Sequence, residues 1–171
     1  DERCAIVFRN EWGHQRELTY AELHVEVGTL AHELKQAGVG VGDRVAGFLP
    51  NLPDTVIAML AATSLGASWS SCSPDFGIRG VVDRFGQIAA KVLFTADQYG
   101  YGGKRFDCLD KIRGVLDELP SVEHLVVIPY NGEALQLDGL RNAIAWPDFV
   151  GREEHALTFE PLPFEHPLYI M

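Results

Sequence analysis

The sequence predicts an α/β fold: a doubly wound, mainly parallel sheet flanked by helices, with an N-terminal hairpin. Short runs at residues 45–49, 92–95 and 124–128 are apolar on both faces, which is typical of buried parallel strands. Segments of helical length and periodicity alternate with these runs. With 47% hydrophobic and 22% charged residues in a chain of 171, the composition excludes disorder and allows a sizeable core.

The first elements are a hairpin and a strongly signalled helix. Residues 4–9 and 16–18 flank a Trp12-Gly13 turn and predict two short paired strands, so we assign residues 1–18 to a hairpin. Thr19 followed three residues later by Glu22 is a capping box, after which apolar residues recur at helical spacing. The helix that begins there is expected to end at Gly38.

Residues 19–128 are expected to form a core of βα units. The strand at 45–49 leads through a proline-containing turn into a helix at about 54–65, which Gly66 ends. Strands and helices then continue to alternate: a strand at 67–71, a helix at 78–89, a strand at 92–95, a helix at 107–119 and a strand at 124–128. Parallel strands joined in this way require crossovers, which we expect to be right-handed.

The periodicity is lost after residue 128. Four prolines fall between residues 129 and 165, so we predict a loop-rich segment over 129–167, with one short helix near Pro147. Residues 168–171 have the pattern of a strand that begins where this chain stops. By its length the chain is expected to be one domain or one part of a larger domain.

Charge and cysteine content limit the partners and the compartment. The net charge of -10 argues against a general nucleic-acid surface, and no apolar run reaches the roughly 18 residues that a membrane span needs. Three cysteines without zinc-site spacing, and a polar start to the chain, favour a cytoplasmic protein with reduced thiols. Seven basic and four acidic residues lie between Arg79 and Arg113. This basic segment either holds an anionic small molecule or consists of solvated helix charges.

Two glycine-rich segments resemble phosphate-binding motifs. Residues 38–42 precede a strand, whereas a dinucleotide fingerprint follows one, so we interpret them as a helix end and a turn. Residues 100–104 (Gly-Tyr-Gly-Gly-Lys) lie between a strand and a helix, but Gln98 and Arg105 occupy positions that a P-loop reserves for glycine and Ser/Thr. We predict a flexible loop there. Its backbone amides, beside Lys104, would either cradle an anion or face solvent.

The remaining reactive residue types do not suggest a catalytic or metal centre. The serines around Cys72 lack the flanking glycines of a nucleophile elbow, so we interpret Cys72 as a buried structural residue. Six histidines are scattered along the chain, and no pair has metal-ligand spacing. His24 and His32 fall on the polar part of the first helix and are interpreted as surface residues. No metal site is expected within this chain.

Taken in order, the segments resemble the N-terminal part of the adenylate-forming acyl-CoA synthetases. The matching segments are 18–23 (Leu-Thr-Tyr-Ala-Glu-Leu), 42–46 (Gly-Asp-Arg-Val-Ala), 49–51 (Leu-Pro-Asn), 58–61 (Ala-Met-Leu-Ala) and 65–67 (Leu-Gly-Ala). Each segment alone is too short to be specific. Their common order and spacing extend over most of the chain, to about Ile128, and make the match specific. Residues 67–77, 82–88 and 91–97 are more similar to family members that use acetoacetate than to those that use acetate.

The resemblance implies a two-step, AMP-forming ligase. Acetoacetate attacks the α-phosphate of ATP, as its Mg²⁺ complex, to give an acyl-adenylate and diphosphate; the thiol of coenzyme A then displaces AMP. In this family the phosphate-binding loop should begin just beyond Met171, and the catalytic lysine lies on a later, mobile domain. No catalytic residue is therefore expected in this chain, which should be inactive alone.

The resemblance also implies a partial coenzyme A site. By register, Tyr101 and Lys104 stand at two basic positions of a family loop that contacts the 3′-phosphate of coenzyme A, and only Lys104 keeps the charge. We expect Gly100, Tyr101, Gly102, Gly103 and Lys104 to help bind the nucleotide end of coenzyme A. Two alternatives remain: an AMP-forming ligase for another short acid such as acetate or propionate, and a non-catalytic α/β module for nucleotide sensing or protein interaction.

Overall fold

The structure, a computed structural model, describes all 171 residues and confirms the α/β prediction. The elements in chain order are β1 (Cys4–Arg9), β2 (Gln15–Thr19), α1 (Tyr20–Gln36), β3 (Arg44–Phe48), α2 (Pro53–Ser64), β4 (Ser68–Cys72), α3 (Ile78–Ile88), β5 (Val92–Ala96), β6 (Gln98–Tyr101), β7 (Lys104–Asp107), α4 (Leu109–Glu118), β8 (His124–Ile128), β9 (Ala143–Ala145) and α5 (Trp146–Val150). No helix is both long and apolar enough to cross a membrane.

Five of the strands form one parallel sheet in the order β4-β3-β5-β8-β9. From β3 the chain passes through α2 to β4 on one side, and then through α3 to β5 on the other side of β3. The direction of winding thus reverses between β3 and β5. In sheets of this kind the connections after the two strands diverge at their carboxyl ends and leave a crevice, which is where ligands bind. The topology alone therefore predicts a candidate site at the carboxyl ends of β3 and β5.

The sheet is covered on both faces, as a doubly wound fold requires. One hydrophobic cluster joins α1, α2 and α5 to the sheet through residues such as Leu30, Ile57 and Phe94. A second cluster joins α3 and α4 to the opposite face through residues such as Phe85 and Ile112. Neighbouring strand residues alternate between the two clusters, because successive side chains in a strand point to opposite faces.

The capping box at the start of α1 forms as predicted. The Thr19 hydroxyl accepts a hydrogen bond from the Glu22 amide at 3.2 Å, and the Glu22 carboxylate accepts one from the Thr19 amide at 2.7 Å. That second bond lowers the pKa of the Glu22 carboxyl below its ordinary value. The side chains therefore satisfy two backbone donors that the first turn of the helix leaves free.

The segment after β8 contains more regular structure than its proline content suggests. The short helix near Pro147 is confirmed as α5, but strand β9, which adds to the sheet edge beside β8, was not predicted. At residues 168–171, where the sequence predicts the beginning of a strand, the structure has one isolated bridge. Residue 169 forms an isolated parallel bridge to Trp69, whose carbonyl accepts a hydrogen bond from the Ile170 amide at 2.9 Å.

Candidate functional site

An open crevice lies at the carboxyl ends of β3, β4, β5 and β8, and so includes the point between β3 and β5 where the winding reverses. Its volume is about 730 Å³. The tip of the β1–β2 hairpin and the β6–β7 hairpin contribute to its walls. Its lining residues are Phe8, Arg9, Asn10, Glu11, Leu49, Pro50, Asn51, Thr55, Ser71, Cys72, Ser73, Pro74, Asp75, Tyr99, Gly100, Tyr101 and Tyr130.

The segment expected to be a flexible loop is instead the tip of a β-hairpin. Strands β6 and β7 pair antiparallel, with Tyr101 opposite Lys104, so only Gly102 and Gly103 form the turn. Their φ angles of 59° and 74° are in the left-handed region, which two-residue hairpin turns of the I′ type require and which glycine adopts without steric cost. The loop prediction was wrong because the two glycines specify a tight turn.

The amides of this turn bind an acidic side chain of the same chain. The Gly102 amide donates to one carboxylate oxygen of Glu11 at 2.9 Å, and the Gly103 amide donates to the other at 2.6 Å. Successive amides at a left-handed turn form a concave donor pair suited to an anion. In this structure the anion that the two turn amides bind is the Glu11 carboxylate of the same chain.

Aromatic packing fixes the two hairpin tips to each other. Trp12 packs edge-on against Tyr130, with ring centroids 5.7 Å apart, and the Arg105 guanidinium lies 5.0 Å from the Trp12 ring centroid. A Cβ atom at Gly100 would lie only 2.8 Å from Cζ2 of the same indole, so the ring packs directly on the backbone of β6. Together with the Glu11 carboxylate, these contacts make the two tips one unit at the mouth of the crevice.

A half-buried carboxylate connects the ends of β5 and β8. Asp97 accepts hydrogen bonds from the Tyr130 amide at 2.8 Å and the Gln98 amide at 2.9 Å. Burial raises the pKa of the Asp97 carboxyl above its ordinary value, although these hydrogen bonds act in the opposite direction. By holding the backbone of Tyr130 and the first residue of β6, Asp97 positions one wall of the crevice.

The cysteine at the crevice is not an activated nucleophile. Burial raises the pKa of the Cys72 thiol to about 11, and that of the buried Cys108 thiol to about 12. Both thiols are therefore protonated at neutral pH, whereas nucleophilic cysteines have lowered pKa values. The interpretation of Cys72 as a buried structural residue agrees with this geometry.

The five residues predicted for coenzyme A binding lie together at the β6–β7 tip. Gly100 and Tyr101 line the crevice, Gly102 and Gly103 form the turn, and the exposed Lys104 begins β7. The wider basic segment does not converge on this point. Five of its cations contact other parts of the chain, namely Arg84, Lys91, Arg105, Lys111 and Arg113.

Sequence reasoning missed Glu11, Trp12 and Asp97 as parts of the site. Glu11 lies 91 residues before the amide that it binds, and nothing in its local sequence indicates that partner. Asp97 follows a buried strand directly, which is the position where α/β sheets place ligand-site residues, so the topology could have identified it.

Comparison with known proteins agrees with the topology and with the motif order. The sequence model of the AMP-binding enzyme family matches residues 1–171. Acetoacetyl-coenzyme A synthetase of Rhizobium meliloti is 46% identical over 98% of this chain. Acetoacetyl-CoA synthetase of Rattus norvegicus is 43% identical over the whole of this chain. The chain spans only 26% of either relative.

A solved structure shows the same fold. Acetoacetyl-CoA synthetase from Streptomyces lividans superposes with a TM-score of 0.83 and 40% sequence identity, covering 91% of this chain and 23% of that one. The resemblance drawn from segments between residues 18 and 97 is thereby confirmed across nearly the whole chain. On its sequence and its fold, the chain belongs to the AMP-binding enzyme family.

Proposed function

We propose that the full-length protein containing this chain is an AMP-forming acetoacetate–CoA ligase. It would convert acetoacetate, ATP and coenzyme A into acetoacetyl-CoA, AMP and diphosphate. The observation that carries this proposal is the 43–46% identity, over nearly the whole chain, to curated acetoacetyl-CoA synthetases from a bacterium and from vertebrates. A fold match with another protein of that name supports it.

Within that enzyme, this chain would supply binding and positioning. Besides aromatic and hydroxyl side chains, the crevice is lined by the charged residues Arg9, Glu11 and Asp75, and no hydrogen bond joins one of its hydroxyl or thiol groups to a basic side chain. ATP and its Mg²⁺ would be held mainly by residues in the part of the relatives that the chain does not span. The three free cysteines support a cytoplasmic location.

The β6–β7 tip is proposed to bind the nucleotide end of coenzyme A. Lys104 is exposed at the start of β7, so its ammonium group is available to a phosphate, whereas the two turn amides are already bound by the Glu11 carboxylate. The Tyr101 side chain is 74% exposed and gives an aromatic face on which a purine can stack. Trp12 and Glu11 would act as positioning residues, because they hold the tip rather than face the ligand.

The substrate assignment is tested by AMP release from the full-length protein. With ATP and coenzyme A present, we expect kcat/KM for acetoacetate to exceed the values for acetate, propionate and butyrate by at least about tenfold. An equal or higher value for acetate or propionate would assign the protein to a ligase for another short acid. Release of AMP with none of the four acids would instead favour the non-catalytic module.

A further inference from the structure

A cluster of metal-ligating side chains lies away from the crevice, on the outer side of α1. His32 and Glu33 are neighbours on the helix, and His155 comes from the extended segment that follows α5. One ligand atom from each of the three side chains lies within 4.8 Å of the others. All three residues are half-buried, and none of them lines the crevice.

The path of the backbone after α5 places His155 beside His32 on α1. The segment crosses α1 at Gly28, where a Cβ atom would meet the His155 carbonyl and would lie 2.7 Å from the Leu157 amide nitrogen. The His155 amide also donates to the Thr29 hydroxyl at 3.3 Å. Since residue 32 lies one helical turn after residue 28, this crossing brings the two imidazoles together. Their rings stack with centroids 3.6 Å apart and planes 5° apart.

We propose that His32, Glu33 and His155 form a site for a divalent transition-metal ion of the Zn²⁺ class. Two imidazoles and one carboxylate are a ligand set that Zn²⁺ accepts, with water completing the coordination. Tetrahedral ligands at zinc distances are about 3.4 Å apart. The three groups must therefore close by at most roughly 1.4 Å from their present 4.8 Å limit.

Rotation of the side chains alone can bring the three ligand atoms closer together by this distance. Stacked rings direct their in-plane lone pairs side by side, so both imidazoles must turn about the Cβ–Cγ bond to converge on one ion. A cavity of about 200 Å³ lined by His32 and His155 gives them room. The Gln36 amide nitrogen lies 3.5 Å from Nε2 of His32. With that amide turned over, its oxygen would accept the Nε2 proton of a His32 ring that binds the ion through Nδ1.

The bound ion would cross-link two parts of the chain. It would join the segment around His155 to α1, where backbone packing on Gly28, one side-chain hydrogen bond and the stacked rings already hold this irregular stretch of chain. Because the ion binds the folded arrangement more tightly than the unfolded chain, it would stabilise the protein without taking part in the reaction. Sequence spacing did not indicate such a site, and His32, interpreted from sequence as a surface residue, is half-buried against the His155 ring.

The test uses the full-length protein freed of metal with a chelator and titrated with Zn²⁺, or with Co²⁺ as a spectroscopic probe. Isothermal calorimetry of the parent protein should show binding that the His155→Ala and Glu33→Gln variants weaken by at least about tenfold. His24→Ala is the matched control, because His24 is exposed on the same helix. It should leave binding unchanged.

Two further measurements distinguish a specific metal site from adventitious metal binding. Zn²⁺ should raise the thermal midpoint of the parent and of His24→Ala but not of His155→Ala, and Co²⁺ should give a visible absorption band that depends on both histidines. Equal Zn²⁺ affinity in His155→Ala, Glu33→Gln and His24→Ala would overturn the proposal. So would the absence of Zn²⁺ binding by the parent protein.

Discussion

Replacing Gly100 with valine in the full-length enzyme is expected to raise the KM for coenzyme A on the order of ten- to hundredfold, because misplacing a binding element by about 1 Å has effects of that size. A Cβ atom at residue 100 would lie 2.8 Å from Cζ2 of Trp12, so either the indole or strand β6 must move. Either movement separates the two hairpin tips and displaces Tyr101 and Lys104. Steady-state kinetics with coenzyme A as the varied substrate measures this effect.

The same variant should keep the first half-reaction. Acetoacetate-dependent exchange of pyrophosphate into ATP requires no coenzyme A, so its rate should change little. Gly40→Ala is the control, because a Cβ atom at Gly40 meets nothing within 4 Å and its φ is not in the left-handed region. A Gly100→Val enzyme with an unchanged KM for coenzyme A would show that the packing of the tips on each other does not position the ligand.

Replacing Phe94 with alanine is expected to lower the free energy of unfolding by about 3–5 kcal/mol, the usual cost of removing a fully buried phenyl ring. Phe94 is 0% exposed in β5, at the centre of the sheet. Its ring centroid lies 6.3 Å from that of Trp69, 5.9 Å from Trp146 and 6.5 Å from Phe149. The substitution thus removes aromatic contacts that help to join α5 to the sheet.

Urea unfolding followed by tryptophan fluorescence checks this prediction, since Trp69 and Trp146 flank the deleted ring. Phe164→Ala is the matched control, because Phe164 is fully exposed and its removal should leave the unfolding midpoint unchanged. A loss below about 1 kcal/mol in Phe94→Ala would contradict the packing described here, because even an isoleucine-to-valine change in a core reaches that size.

The central strands could be predicted from sequence because local chemistry determines them. The run expected at 45–49 is the strand Arg44–Phe48, and the runs at 92–95 and 124–128 differ from β5 and β8 by at most one residue. A strand that is covered on both faces must be apolar on both, so its signal does not depend on its neighbours. The capping box before α1 is equally local, since both of its hydrogen bonds lie within four residues.

Elements on the edge and surface gave no such signal. Strand β9 has only three half-buried residues, and it becomes a strand because β8 offers its free edge. Strand β7 is exposed along its whole length, so its side chains show no apolar alternation. Tertiary pairing rather than intrinsic pattern specifies both strands.

The candidate sites likewise contain some residues that a local sequence motif identifies and others that only the folded chain brings together. Residues 100–104 were found because the glycines and the lysine are adjacent in sequence. Their partner Glu11, and the pairing of His155 with a helix 126 residues before it at Thr29, exist only after the chain has folded. Contacts of such separation leave no periodic or motif signal in a single sequence.

The measurement that tests the proposed role of this chain most directly compares coenzyme A with dephospho-coenzyme A in the Lys104→Ala enzyme. A charge-assisted hydrogen bond to the 3′-phosphate is worth enough that the KM for coenzyme A should rise about tenfold, while the KM for dephospho-coenzyme A stays unchanged. Lys35→Ala, which removes another exposed lysine on α1, should alter neither value. An unchanged KM for coenzyme A in Lys104→Ala, or an equal rise for both substrates, would contradict the assignment of the β6–β7 tip to the coenzyme A nucleotide.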